Sequence, residues 1–213
     1  MKGYGVYNMK LLRETIRRLI LEEVCAGATA KIQQGLDEIE KRDLVIEVHI
    51  FSNGYDIKLV NSSGSLVGQF EVATSRRCPA YITMYTDVDD YLKGTGIGAV
   101  MYDVAVEVAT KLGNYLTCDR NSVSDKAKQM WRYYNASDDY EAFQMDTKKG
   151  DYTPDDKSDD CHHLTFHRDT EISIMDDPST YKEEFMASPF TKAYRKKRIT
   201  TIPCLGDRYK ENE

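Results

Sequence analysis

The sequence predicts a mixed α/β (α+β) domain: a central, mostly antiparallel sheet flanked by helices, with an N-terminal amphipathic helix and a C-terminal extension. Three observations predict it. Residues 9–24 carry apolar side chains at helical spacing, residues 44–73 switch to a period of two, and residues 81–112 read as strand, glycine turn and helix in succession. At 213 residues the chain fits one domain with some decoration. A net charge of −6 gives no overall pull towards nucleic acid or an anionic membrane surface. The five cysteines form no C-x-x-C pair, and no signal peptide or apolar run of membrane length appears, which points to a reducing, cytoplasmic compartment.

Residues 1–8 show no period and read as a loose terminus. In residues 9–24, Leu11, Leu12, Ile16, Leu19, Ile20 and Val24 share one helix face while Arg13, Glu14, Arg17, Arg18, Glu22 and Glu23 take the other. That helix either packs on its own sheet or docks a protein partner; its polar face mixes acids with bases, unlike a membrane-surface helix. Residues 26–40 continue as a second helix on Ile32, Leu36 and Ile39, weakened by Gly27 and Gly35. Residues 44–51, 55–60 and 66–73 then read as three strands joined at Asn53-Gly54 and Ser62-Ser63-Gly64. Pro79 is expected to end any ladder before the next strand, residues 81–88.

The stretch Lys93-Gly94-Thr95-Gly96-Ile97-Gly98 follows, and after it Ile97, Val100, Met101, Val104, Ala105, Val108 and Leu112 mark the core face of a helix. Glycines free to take positive φ, at a turn against a helix N-terminus, suit an anion such as a phosphate or pyrophosphate. The spacing is not the G-x-G-x-x-G of a dinucleotide fold, and no Gly-Lys-Ser/Thr follows as in a P-loop. Residues 115–118 read as a short strand, and Ser122 or Ser124 caps a helix with Ala127, Met130, Trp131 and Tyr134 on one face.

This stretch resembles the signature of the GNAT superfamily of N-acetyltransferases, Gln/Arg-x-x-Gly-x-Gly/Ala, with Lys93 at the basic position and Gly96 and Gly98 as its glycines. Helices, an antiparallel meander and then strand, loop and helix is also the GNAT-like order. The resemblance covers residues 44–134, and Asp119-Arg120 followed by Val123-Ser124, Ala127 and Trp131 is similar to phage-encoded GNAT-like proteins. It implies that acetyl-CoA, as co-substrate, lies on Lys93, Gly94, Thr95, Gly96, Ile97 and Gly98 through backbone amides, with Thr86, Val88 and Ser124 beside it. It further implies transfer of the acetyl group to an amine-bearing acceptor, a small molecule or a protein. Asp87 and Asp89 are then candidates for accepting the amine's proton. The family's helix reads Asn-x-x-Ala-x-x-Leu-Tyr, and the tyrosine proposed to protonate the departing thiolate falls here on Trp131, whose indole is no useful acid. The role then falls to Tyr134, Tyr133 or solvent, with Tyr134, on the same helix face, the expected substitute. On this reading Gly96→Asp abolishes coenzyme A binding and leaves the fold largely intact. The alternative is a non-enzymatic GNAT-like structural or interaction module, such as a component of a phage particle.

The chain divides into an N-terminal helical segment (1–43), an acetyl-CoA-binding core (44–136) and an extension (137–213) that completes or decorates it. In the extension, residues 140–145 read as a strand and 151–160 as a solvated acidic loop without the EF-hand pattern. Cys161, His162, His163 and His167 suggest zinc but lack a second ligand cluster, so a half-exposed strand is expected and no metal. Residues 181–186 and 190–197 read as helical. Lys192, Arg195, Lys196, Lys197 and Arg198 form a basic cluster expected to be a solvated face, with nucleic acid only a minor partner hypothesis.

Overall fold

A computed structural model describes residues 15, 23–25, 28–75, 78–119, 123–145, 147–148, 151–152, 183 and 186–212. The fold is mixed α/β, as expected. Among the described residues its main sheet has eight strands, in the spatial order Tyr209–Asn212, Val45–Phe51, Gly54–Val60, Leu66–Ser75, Cys78–Val88, Leu116–Thr117, Lys192–Lys196 and Tyr140–Gln144, and helices flank it.

The meander β1 (Val45–Phe51), β2 (Gly54–Val60) and β3 (Leu66–Ser75) follows the period of two. Ile46, Val48, Tyr55, Ile57, Leu59, Phe70 and Val72 all turn to the core and are buried. Asn61 shapes the second turn, its side-chain oxygen accepting from the amides of Ser63 (3.1 Å) and Ser65 (2.9 Å). The next strand, β4 (Cys78–Val88), starts earlier than expected and contains Pro79. The ladder with β3 is irregular there, passing from Thr74 opposite Tyr81 to Ser75 opposite Cys78, so the missing amide of Pro79 interrupts no regular pair.

Helix α1 (Ala30–Lys41) is capped by Thr29, whose hydroxyl accepts from the Ile32 amide at 3.4 Å. It buries Ile32, Leu36 and Ile39, each contributing roughly 1.5–3 kcal/mol. Helix α2 (Ile97–Lys111) is buried on nearly every side, more than the one face expected, whereas Leu112 just beyond it is exposed. Tyr55 donates to the Ala105 carbonyl at 2.7 Å, tying the meander to α2. Strand β5 (Leu116–Thr117) leads to helix α3 (Asp125–Ala136), which Ser124 caps and which buries Ala127, Met130, Trp131 and Tyr134 as expected.

Strand β6 (Tyr140–Gln144) forms one edge of the sheet, and β7 (Thr147–Lys148) pairs with β8 (Asp151–Tyr152) apart from it. Residues expected to be helical, 190–197, instead contain strand β9 (Lys192–Lys196), inserted between β5 and β6. An open sheet edge supplied ladder partners that local periodicity does not reveal. The basic cluster disperses with it. Arg195 pairs with Glu141 at 2.7 Å, Lys192 reaches Asn135 at 2.9 Å, and Lys196 is buried. Lys196 bonds both Asp103 and Glu107 of α2, the latter at 2.8 Å. Glu107 also accepts the amides of Thr200, Thr201 and Ile202 at 2.6–2.7 Å, which holds the short helix α4 (Thr201–Leu205), and Asp103 accepts from Tyr140 and Thr201. Burial alone would lower the Lys196 pKa, but Asp103 and Glu107 outweigh it and hold it above the usual value. Strand β10 (Tyr209–Asn212) closes the far edge, parallel to β1.

A disulfide joins Cys25 to Cys204 across 179 residues, and Cys78 is disulfide-bonded too. The spacing of the cysteines did not anticipate either bond. Thr15 and residues 23–25 are helical; the rest of the expected helix 9–24, the acidic loop 153–160 and the Cys161/His162/His163/His167 group lie outside the described residues. Among the described residues no helix is long and apolar enough to cross a membrane.

Candidate functional site

The loop between β4 and α2 is built around two glycines in the left-handed region, Gly94 at φ 84° and Gly96 at φ 90°. Among the described residues, nothing accepts from the amides of Gly94, Gly96, Ile97 and Gly98, the unsatisfied donors of a helix start. They carry the positive end of the helix dipole and suit an anion. The two signature glycines differ in what they face. A Cβ on Gly96 would stand 2.5 Å from the Lys31 carbonyl oxygen and 2.7 Å from the Gly35 nitrogen, so Gly96 is the seat of α1. Gly35, read as a weakness of that helix, is its counterpart, with the Gly96 oxygen 2.5 Å from where its own Cβ would be. A Cβ on Gly98 would meet nothing within 4 Å. Gly96→Asp therefore disrupts packing, contrary to the expectation that it spares the fold, and Gly98 is the open position.

Lys93 is exposed, with its ammonium 2.7 Å from Asp90 and 3.7 Å from Asp87. Hydrogen bonding to Asp90 raises its pKa and lowers that of Asp90. Exposed pairs of this kind contribute little and yield readily to a stronger anion.

Beyond the loop lies a cleft with a simple origin. β4 and β5 are parallel and pair only at Tyr81 with Leu116 and Ile82 with Thr117. From Thr83 onward β4 has β3 on one side, and among the described residues no strand pairs with its other edge. The ladder with β3 also bulges here, since Glu71 faces Tyr85 and Val72 faces Thr83, leaving Met84 unmatched. A cavity of about 180 Å³ occupies the gap, with Thr83, Met84, Tyr85 and Thr86 on the β4 side. Tyr102 of α2, Asp119 after β5 and Ser124 and Trp131 of the α3 region line the other side. Thr83 closes the floor by donating to the Thr117 carbonyl at 3.1 Å. The Thr86 hydroxyl is buried and makes no hydrogen bond of good geometry. Burial pushes the Tyr102 phenol up to about 12, with the nearby Thr86 hydroxyl pulling it down and Asp119 adding to the rise. Gly98 and Tyr102 are four residues apart on α2, so the open face at the helix start and the cavity wall lie on one helix face.

The expected site residues separate into two groups. Gly94, Gly96, Ile97 and Gly98 form the amide cradle, Thr95 folds back with its hydroxyl on the Leu92 carbonyl at 2.6 Å, and Thr86 and Ser124 line the cavity. Val88 instead packs against the core, beside Gly68. Asp87 and Asp89 are exposed and do not line the cavity. Tyr134 does not reach it either. Its ring packs against Tyr140 (4.4 Å) and Trp131 (5.6 Å), its hydroxyl is buried without a partner, and burial raises its pKa well above the usual value. The face of α3 that carries Tyr134 is a core face, and the sheet that buries it includes the unforeseen β9. Asp119 and Tyr102 were missed, although the four-residue spacing from Gly98 marks Tyr102.

No protein-family model and no curated relative matches the chain. Among solved structures it is similar to an IAA acetyltransferase from Bacillus cereus ATCC 14579, at 21% identity and a TM-score of 0.34, over 45% of this chain and 62% of that one. It is similar to a GNAT-family acetyltransferase from Staphylococcus aureus Mu50, at 15% identity and a TM-score of 0.32, over 68% and 83% of the two chains. A third is the GNAT-family N-acetyltransferase YhbS from Escherichia coli in complex with CoA, at 9% identity and a TM-score of 0.29, over 46% and 50%. The chain thus spans less than two thirds of the length of two of these three. At these values the similarities assign neither activity nor substrate.

A larger cavity, about 560 Å³, lies between α1, the end of α3 and the β9–α4 segment. Its buried polar side chains Tyr140, Lys196 and Thr201 are already bonded to Asp103, which leaves them no unmet chemistry.

Proposed function

We propose that the chain binds acetyl-CoA along the strip from the Gly94–Gly98 amides to the β4–β5 cleft, and transfers the acetyl group to an amine. The observation that supports this most is the shared face of Gly98 and Tyr102: unbonded amides at one end of it, a gap beside an unpaired strand edge at the other. The amides and the helix start hold the pyrophosphate. The free edge of β4 offers backbone donors and acceptors to the amide-rich pantetheine arm, as a sheet edge does to an added strand. An amide on that edge polarises the thioester carbonyl, and the walls hold the amine at attacking distance.

Calorimetric titration with acetyl-CoA and CoA tests the binding half, and thiol release with an amine panel tests the transfer. Absence of measurable CoA binding sinks the reading. A second reading, a non-enzymatic GNAT-like module such as a phage particle component that docks a protein through its N-terminal helix, is favoured by Trp131 at the acid position and by the burial of Tyr134. Binding without transfer to any amine would select it.

A further inference from the structure

We infer that the closed end of the β4–β5 cleft gauges the acyl group of the coenzyme A thioester, admitting acetyl and excluding straight chains of four carbons or more, and that Trp131 is the wall that sets this limit. This rests on the acetyl-transfer reading above and specifies its first substrate. The cleft is shut at the end away from the glycine loop, where Ile82 pairs with Thr117 and the Thr83 hydroxyl donates to the Thr117 carbonyl at 3.1 Å. Tyr102, Val123, Ala127 and Trp131 line the cavity there, and each is buried. Trp131 is itself held by ring contacts to Tyr102 at 5.9 Å, Tyr134 at 5.6 Å and Tyr194 at 5.9 Å. A wall of packed rings does not yield to a longer chain without opening the core.

Length places the thioester at this end. From Val88, next to the loop, back to Thr83 the strand runs five residues, about 16 Å at about 3.3 Å per residue. A pantetheine arm laid extended along that edge, from a pyrophosphate on the amides of Gly94 to Gly98, has about the same reach, so its sulfur arrives where the cleft closes. Thr86, part-way along, has a buried hydroxyl that makes no hydrogen bond of good geometry, and an amide of the arm satisfies it.

Volume then sets the length of the acyl chain. At about 30 Å³ per heavy atom, the share of a water molecule in the liquid, a cavity of about 180 Å³ holds about six. The sulfur, the two carbons before it and the three heavy atoms of an acetyl group already make six. Butyryl adds two methylenes, for which the buried walls leave no room. Trp131, no useful acid, thus has a different task in the cleft.

Calorimetric titration of the full-length protein with CoA, acetyl-CoA, butyryl-CoA and hexanoyl-CoA tests this without an acceptor. Acetyl-CoA should bind at least as tightly as CoA, and the two longer thioesters about tenfold or more weakly than acetyl-CoA, the effect of an overpacked core. Trp131→Phe, which keeps a ring against Tyr102 and shortens the wall, should cut the butyryl penalty to under about threefold. Ala127→Val narrows the cavity without removing any packing and should weaken acetyl-CoA about tenfold relative to CoA. Thr86→Val should weaken all four ligands alike. Butyryl-CoA or hexanoyl-CoA bound by the parent as tightly as acetyl-CoA, or an Ala127→Val that keeps the parent's ratio of acetyl-CoA to CoA affinity, would each overturn the inference. A parent that binds no CoA overturns the acetyl-transfer reading itself.

Discussion

Substituting the two signature glycines should produce opposite effects, because one faces protein and the other faces open space. Gly96→Ala places a Cβ 2.5 Å from a backbone oxygen that cannot move without shifting α1, at a residue whose φ is 90°. The left-handed backbone costs about 1–2 kcal/mol for a non-glycine residue, and overpacking adds about 1–3. A loss near 3 kcal/mol corresponds to a melting temperature about 6–12 °C lower for a domain of this size. Gly98→Asp meets nothing within 4 Å and puts an acid in the first turn of α2, which favours the helix by about 0.3–1 kcal/mol. Its carboxylate would stand near the bound pyrophosphate. At about 5 Å and an effective dielectric of about 20, the repulsion is roughly 3 kcal/mol, or about 100-fold in affinity, and weaker in high salt. Thermal melts and calorimetric titration with CoA read the two effects separately. A folded Gly98→Asp that binds CoA as tightly as the parent would refute the placement of the anion on this loop, and a Gly96→Ala as stable as the parent would refute the packing argument.

Tyr134→Phe removes a buried hydroxyl that has no partner, so stability should stay level or rise by about 1 kcal/mol, and any turnover should be unchanged; a drop in turnover at constant CoA affinity would restore Tyr134 to the site. Cys204→Ser opens a cross-link spanning 179 residues, whose loop entropy alone amounts to about 5 kcal/mol as an upper figure, so its urea midpoint should fall well below the parent's, and equal midpoints would show that the bond does not constrain the unfolded chain. Raised pKa values at Lys196 and Tyr102 contribute stability that is complete below the ordinary lysine and tyrosine values and is lost as pH rises through the folded ones. The urea midpoint should accordingly fall as the pH is raised above about 10; equal midpoints at about pH 8 and pH 11 would contradict the burial of Lys196 and Tyr102.

What the sequence determined by itself is what neighbouring residues encode. The alternation over residues 44–73, the turn at Ser62-Ser63-Gly64, the Ser124 cap and the buried face of α3 are each set within a few residues by pleat, turn chemistry or helix repeat, and each was legible. The glycine turn and the helix after it were legible for the same reason. What only the tertiary structure decided depends on residues far apart in the chain. Lys192–Lys196 has no local mark that separates helix from strand, and β5 and β6, which it joins, claimed it. Gly96 differs from Gly98 only because α1 comes to rest on one of them. Tyr134 lies on the core face of α3 beneath Tyr140 and Tyr194, while Asp119 is brought into the cleft because β5 stops pairing after two residues. Cys25 meets Cys204 because the C-terminal segment is fastened to α2 by Glu107 and Lys196, a contact that no spacing in the sequence specifies. Local periodicity fixes which way a side chain faces; which element then covers it is set by long-range packing.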